Sequence, residues 1–415
     1  VDAPGVRTVL VTGGGGSGRT TVAAATALAA ARRGRRTLLL SAEDPALLGA
    51  LFGADAGSGG DGYGAGAPHE VAPGLSLARI DSGADFRARA VALQERARSA
   101  LDLLGAEPLD DDELAEPPGA DAFALLRVLR AAHDPGDTEG HDLVVVDMPP
   151  VGQAVRTLAA PEHTRRWLRR LLPPERQAAR ALRPVLAQLA GVPMPARSLY
   201  EAAGRLDREL AAVQAVIEAP GTTVRLVAEP GPAAARALRA ARAGLALHGL
   251  AVDAVVANRM LPTASPDPWL ADLAARQQEA LKVLLDEFRA DSVAVCELPH
   301  LGREPQGPAD LGELAERAPL PAPVDGPPAD GPWAVEDRLD DEGVLLWRLP
   351  LPGATRETLS LVRRGDEVVV TAGPFRRVLP LPAALRRCTV AGARLAGGEL
   401  TVRFEPEPGL WPARE

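Results

Sequence analysis

The sequence predicts a doubly wound α/β fold on a mainly parallel sheet, with a helical subdomain, followed by a small all-β sandwich. Three observations predict it. Short apolar runs alternate with helical stretches up to residue 317. A Pro-rich stretch, Ala318 to Pro328, interrupts the alternation. Beyond it come short strand-like runs separated by Gly-containing turns. The expected division is 1–317 for the α/β unit, with its helical subdomain at 162–218, 318–332 for a linker and 333–407 for the β-sandwich.

Composition narrows the function classes. With 415 residues, 46% hydrophobic and only 3% aromatic, the chain must build its cores from Leu, Val and Ala. A net charge of −9 lacks the basic field that nucleic-acid binding needs. Cys296 and Cys388 lie far apart in sequence and give neither a disulfide framework nor a metal-ligand spacing. No secretion signal and no apolar run of bilayer-spanning length is present, so a cytoplasmic protein is the expectation.

The first strand, Arg7 to Thr12, runs into Gly13, Gly14, Gly15, Gly16, Ser17, Gly18, Arg19, Thr20 and Thr21, and then into an Ala-rich helix ending near Gly34. This is the G-x-x-x-x-G-K-[ST] frame of a phosphate-binding loop, with Arg19 at the lysine position. Small residues let backbone N–H groups wrap a polyphosphate, and the following helix adds the positive end of its dipole. The Thr20 hydroxyl is a candidate Mg²⁺ ligand. Lys282 is the single lysine among 46 basic residues, so Arg19 is read either as a working substitute or as a relic of lost catalysis.

Thr37 to Ser41 reads as a second buried strand, with Glu43, Asp44 and Pro45 at its C-terminal edge, where open parallel sheets bind ligands. Residues 54–68 read as a flexible loop, Gly74 to Ile80 as a strand, and Asp85 to Leu104 as an amphipathic helix. An acidic turn at Leu109 to Glu116 leads to a helix from Phe123 to Ala132. Asp142 to Asp147 is a continuous apolar strand closed by a carboxylate, the Walker B pattern, in which Asp147 reaches Mg²⁺ or its water. Met148 to Gly152 then makes a rigid turn, with Gly152 as a candidate contact to a terminal phosphate.

Residues 162–218 read as helical. Leu182, Val185, Leu186 and Leu189 repeat at helical spacing, and His163 to Leu172 mixes basic and apolar faces. A membrane-surface or client-binding face is weighed there against an ordinary solvated helix, which is the expectation. Strands at Thr222 to Ala228, Val252 to Asn258 and Ser292 to Val295 complete the sheet. The sandwich strands are expected at 344–347, 357–362, 367–371, 377–379 and 399–404.

Together these motifs resemble the ArsA-type (arsenite-pump-like) and guided-entry ATPases of the deviant-Walker P-loop group. The run from Asp147 to Pro161 is similar to D-T-A-P-T-G-H-T-x-R-x-L-x-x-P. Asp44, Pro45 and Ala46 look like the D-P-A of switch I, and Glu304 to Gly307 resembles a late family signature. Residues 333–405 resemble the α-crystallin-like, or small-heat-shock-like, domain that ends many bacterial members. The resemblance implies an ATP/ADP site with Mg²⁺, in which Asp44 orients the attacking water and Asn258 reads the adenine. Arg19 and Asp147 would complete the catalytic set, with Thr20 and Asp147 holding the metal.

The departures from the family pattern also shape the expectation. Gly14 replaces the lysine that reaches across a nucleotide-sandwich dimer, and Arg19 replaces the loop lysine. Gln153 replaces a switch II histidine, and Leu47 and Leu48 replace polar switch residues. No C-x-x-C for a bridging zinc and no cysteine trio for a metalloid are present. The expected protein is an ATP-binding, slow Mg-dependent ATPase switch coupled to a protein client or effector. The alternative is a nucleotide-binding scaffold that does not hydrolyse. A homodimer and a peripheral membrane contact stay open as partners; nucleic acid does not.

Overall fold

The computed structural model describes residues 6–53, 67–134, 140–172, 195–289, 291–317, 333–407 and 409. Most of the expected loop at 54–68, the Leu182 to Leu189 repeat and the Pro-rich linker lie outside the described residues.

An eight-stranded sheet forms the first unit, in the order β3-β4-β2-β5-β1-β6-β7-β8. The strands are β1 (Arg7–Gly13), β2 (Thr37–Ser41), β3 (His69–Ala72), β4 (Leu75–Arg79), β5 (Leu143–Asp147), β6 (Thr222–Ala228), β7 (Val252–Met260) and β8 (Ala294–Pro299). All neighbours pair in parallel except the edge strand β3, which is antiparallel to β4. The residues of β1, β2, β5 and β6 are buried throughout, as strands covered by helices on both faces must be. Apolar runs such as Leu143-Val-Val-Val146 meet that demand without alternation.

The helices are α1 (Arg19–Arg32), α2 (Pro45–Phe52), α3 (Ser82–Leu104), α4 (Ala120–Ala131), α5 (Val151–Leu171), α6 (Pro195–Ile217), α7 (Pro232–Leu247), α8 (Pro268–Arg289) and α9 (Gly307–Arg317). Six of the ten buried residues of helix α1 are Ala, whose small side chains let its backbone come close to the sheet. A buried polar anchor also holds it. Arg225 of β6 pairs with Asp253 of β7 at 2.7 Å, both essentially inaccessible, and also donates to the Thr26 hydroxyl of α1 at 3.3 Å. Removing one partner of such a pair would strand a buried charge, a loss of about 3–5 kcal/mol.

The second unit packs a sheet of order β14-β15-β10-β9 against one of order β11-β12-β13. Its strands are β9 (Ala334–Arg338), β10 (Val344–Pro350), β11 (Leu359–Arg364), β12 (Glu367–Ala372), β13 (Phe375–Pro380), β14 (Cys388–Ala396) and β15 (Glu399–Pro406). Strand β12 alternates buried and partly exposed residues, and Trp347, Leu400, Val402 and Phe404 fill the interior.

The sandwich is seated on α5 and α7 rather than held at a distance. A Cβ on Gly244 of α7 would stand 2.4 Å from the Phe375 ring, so only glycine admits that contact. Arg377 of β13 reaches Glu162 of α5 at 2.9 Å, donates to the Leu247 carbonyl at 3.0 Å and stacks 4.6 Å from the Trp333 ring centroid. Arg166 of α5 forms a two-pronged ion pair with Glu367. One apolar cluster consequently runs from Val144 and Val146 through Leu238 and Leu245 to Phe375 and Phe404. Helix α5 continues the switch segment and starts at Val151, earlier than the expected helical stretch at 162–218.

Candidate nucleotide site

Sheet order brings three C-terminal strand edges together. Strand β1 lies beside β5, and β5 lies beside β2, so the turns after all three converge. Register sets their heights: Val11 stands opposite Asp147, and Leu40 opposite Val146. Ser41, one residue further, donates its hydroxyl to Asp147 Oδ2 at 2.9 Å.

The loop after β1 is shaped by glycines with specific reasons. A Cβ on Gly13 would meet the Val227 carbonyl oxygen at 2.0 Å. Gly16 and Gly18 have φ of 74° and 85°, the left-handed region where glycine is unstrained. Ser17 closes the turn, its hydroxyl donating to the Gly14 carbonyl at 2.9 Å. Around Gly14 and Gly15 the backbone is open to an approaching group. Gly18 is the N-cap of α1, no side chain caps that end, and the first turn holds no acidic residue. Uncapped N–H groups at a positive dipole end are an anion cradle.

Asn258, at the end of β7, donates to the Ser17 carbonyl at 2.8 Å and is buried. Its neighbour Arg259, held at φ 58°, donates to the Gly16 carbonyl at 3.0 Å. The loop is therefore clamped from β7 at two consecutive carbonyls. A cavity of about 520 Å³ opens beside it, lined by Gly16, Gly18, Arg19, Thr20, Glu43 and Arg259 among others. A second cavity of about 200 Å³ lies past Arg19, lined by Glu43, Asp121, Asp147 and Pro149 among others.

The predicted residues divide between these features. Gly16, Gly18, Arg19, Thr20 and Thr21 line the first cavity and Asp147 the second. Arg19 borders both, and its guanidinium donates to the Met148 carbonyl just past Asp147. Asn258 borders a narrow cleft with Gly18, Pro299 and Pro305, its amide already engaged with the loop. Gly152 sits in the first turn of α5 and borders none of the three. Asp44 is exposed, and its carboxylate caps α2 by accepting from Ala46 N–H at 2.7 Å. The acid that faces the loop is its neighbour Glu43, which accepts from the Thr20 hydroxyl at 3.4 Å. From sequence Glu43 stood at the ligand-binding edge of the second strand without a role of its own, and Arg259 had none; the signal for either was adjacency to a motif residue.

The fit to magnesium rests on Asp147. It is 5% exposed, and Oδ1 has no hydrogen-bond partner. Burial pushes its carboxyl up to about 6, partly offset by the hydroxyls of Thr20 and Ser41. A buried, unpartnered carboxylate oxygen beside a threonine hydroxyl is a hard-oxygen donor set. The residues present fit both a polyphosphate and a divalent cation. No described helix is long and apolar enough to cross a membrane.

The family model described as anion-transporting ATPase matches residues 6–319, and that of the HSP20-like domain found in ArsA matches residues 342–404. The chain is 55% identical over 408 residues to "Uncharacterized protein SCO2128" of Streptomyces coelicolor, covering 98% of this chain and 99% of that one. It is 26% identical over 299 residues to "Putative arsenical pump-driving ATPase 1" of Aquifex aeolicus, covering 70% and 73% of the two chains. "Protein Rv2184c" of Mycobacterium tuberculosis is 37% identical over 185 residues, 40% of this chain and 42% of its own. With a glycine loop at β1, a buried carboxylate at β5 and an HSP20-like sandwich seated on the helices, the chain belongs to the ArsA-type anion-transporting ATPase family.

Proposed function

We propose that the protein binds ATP with Mg²⁺ at the β1 loop and acts as a slow ATPase switch whose nucleotide state is read by a protein partner. The observation that carries this reading is the unpartnered Oδ1 of buried Asp147, at the end of β5 beside the β1 loop. The loop amides, Arg19 and the start of α1 would hold the phosphates, and Thr20 and Asp147 the metal. When bound, magnesium neutralises phosphate charge and holds phosphate oxygens in a fixed arrangement.

Two side chains favour slow turnover. Asp44 is engaged as the cap of α2, and Arg19 is engaged by the Met148 carbonyl. Each must leave its partner before serving a phosphate or a water. Helix α5 supports coupling: it begins three residues after Met148 and bears Glu162 and Arg166, the residues that grip the sandwich. A shift of the β5–α5 turn is thereby passed along one helix to the second unit. The HSP20-like sandwich supports a chaperone-like role toward a protein client. The arsenical role in the Aquifex relative's name is not carried over, because the chain's 2 cysteines stand on separate units, Cys296 on β8 and Cys388 on β14.

The Arg19–Met148 contact also favours a second reading, a scaffold that binds nucleotide and does not turn it over. Calorimetry with Mg-ATP, paired with a phosphate-release assay, separates the two. Binding with slow release supports the switch, binding without release supports the scaffold, and no binding removes both.

A further inference from the structure

Glu43 has no role in the nucleotide reading above, yet it occupies the centre of the site. Its backbone N–H is bound by the Ser41 hydroxyl at 3.2 Å, and the same hydroxyl donates to Asp147 Oδ2. One side chain thus fixes Glu43 and Asp147 relative to each other. Glu43 Oε1 faces the Thr20 hydroxyl, and its side chain borders both cavities on either side of Arg19. Asp44, one residue on, turns outward to cap α2, so Glu43 alone presents the β2 edge's carboxylate to the loop.

Two carboxylates at such a site repel each other and repel a polyphosphate. Nothing in the apolar core requires Glu43, which is half-buried. A divalent cation converts the repulsion into ligation, and magnesium is commonly held by one or two carboxylates together with substrate phosphates. The nine-tenths-buried Asp147, with Oδ1 unpartnered and its side chain bordering the same cavity as Glu43, marks where the cation would go.

We propose that Glu43 is a second acidic determinant of the cation position, acting directly or through a metal-bound water, and that it makes nucleotide binding depend on a divalent cation. The proposal rests on the nucleotide-site reading and goes beyond it by assigning cation dependence to a residue outside the P-loop and Walker B motifs.

The test titrates Mn²⁺ into the full-length protein saturated with ADP, followed by electron paramagnetic resonance, and separately measures ADP affinity in EDTA. Glu43→Gln is expected to weaken Mn²⁺ binding roughly tenfold, in line with the dependence of cation affinity on ligand charge. In EDTA the same variant should bind ADP as tightly as the parent or more tightly. A residue that merely braces Thr20 would weaken both. Glu43→Thr, which supplies a neutral hydroxyl in place of the carboxylate, should behave like Glu43→Gln and guards against a folding effect of either variant. Unchanged Mn²⁺ affinity in both variants, or a parallel loss of metal-free ADP binding, overturns the proposal while leaving the nucleotide site standing. A parent protein that binds no ADP even with Mn²⁺ overturns the nucleotide reading and this inference with it.

Discussion

The guanidinium of Arg19 donates to the main-chain carbonyl of Met148, tying the phosphate loop to the residue that follows the β5 carboxylate. A charged hydrogen bond of this kind is worth about 1.5–3 kcal/mol, and phosphate must compete with it. Lysine, a compact ammonium without the planar fork, holds that carbonyl less specifically. Arg19→Lys is therefore expected to bind ATP about fivefold to tenfold more tightly, with Arg19→Ala losing binding. Calorimetry checks this, and an unchanged or weaker affinity in the lysine variant would show that the guanidinium suits the loop.

Gly18 is a sharper probe of the loop itself. At φ 85°, with Asn258 Nδ2 standing 2.3 Å from where a Cβ would go, alanine meets both strain and collision. Left-handed backbone at a non-glycine residue costs of order 1–3 kcal/mol, and displacing Asn258 releases the Ser17 carbonyl as well. Gly18→Ala should lower ATP affinity by about tenfold or more while the far-ultraviolet circular dichroism is retained. Wild-type affinity in this variant would mean that the loop does not hold phosphate in the shape seen here.

The buried Asp147 carboxyl makes stability depend on pH. Its native value of about 6 stands above its ordinary 3.8. Between those values the native state keeps a proton that the unfolded chain has released, so stability falls as pH rises from about 4 to about 6. Above that range the penalty is constant, of order 2–3 kcal/mol. Asp147→Asn should accordingly raise the melting temperature of the ligand-free protein at pH 7.5 and leave it little changed near pH 4. The variant should also lose the stabilisation that Mg-ADP gives the parent. Equal melting temperatures at pH 7.5 would contradict the burial argument.

Seating of the sandwich depends on Arg377. It is 8% exposed and serves Glu162, the Leu247 carbonyl and the Trp333 ring together. Truncation to alanine leaves Glu162 half-buried without its main cation, a destabilisation of about 3 kcal/mol. Limited proteolysis of Arg377→Ala should separate the two units faster than in the parent, with Trp333 fluorescence shifted to the red. Unchanged cleavage would place the hold elsewhere, on Arg166 and Glu367.

Much of the parallel sheet was legible because buried central strands need continuous apolar runs, and Leu143 to Val146 or Thr222 to Ala228 admit no other reading. Edge elements were less so. Strand β3 is four residues long, β9 carries Glu336, Asp337 and Arg338, and β14 is exposed from Thr389 to Arg394 with a bulge between Val390 and Gly392. Partly solvated strands of that kind lack an apolar pattern to read. The β11 strand starts at Leu359, two residues later than the expected 357, because residues 355–358 close a turn through the Thr355 and Thr358 hydroxyls.

By itself the sequence determined the parallel sheet, the glycine loop at β1 and the carboxylate closing β5, because each follows from a local pattern of size, burial and backbone freedom. Only the tertiary structure decided that Glu43 turns toward the loop while Asp44 caps a helix, that Arg19 is bound to Met148, and that Arg259 joins Asn258 in clamping the loop. Side-chain direction depends on backbone angles at one residue and on neighbours from strands far away in the chain. The same holds for the seating of the sandwich on α5 and α7, where Gly244, Phe375, Glu162 and Arg377 meet through contacts that no short window of residues contains.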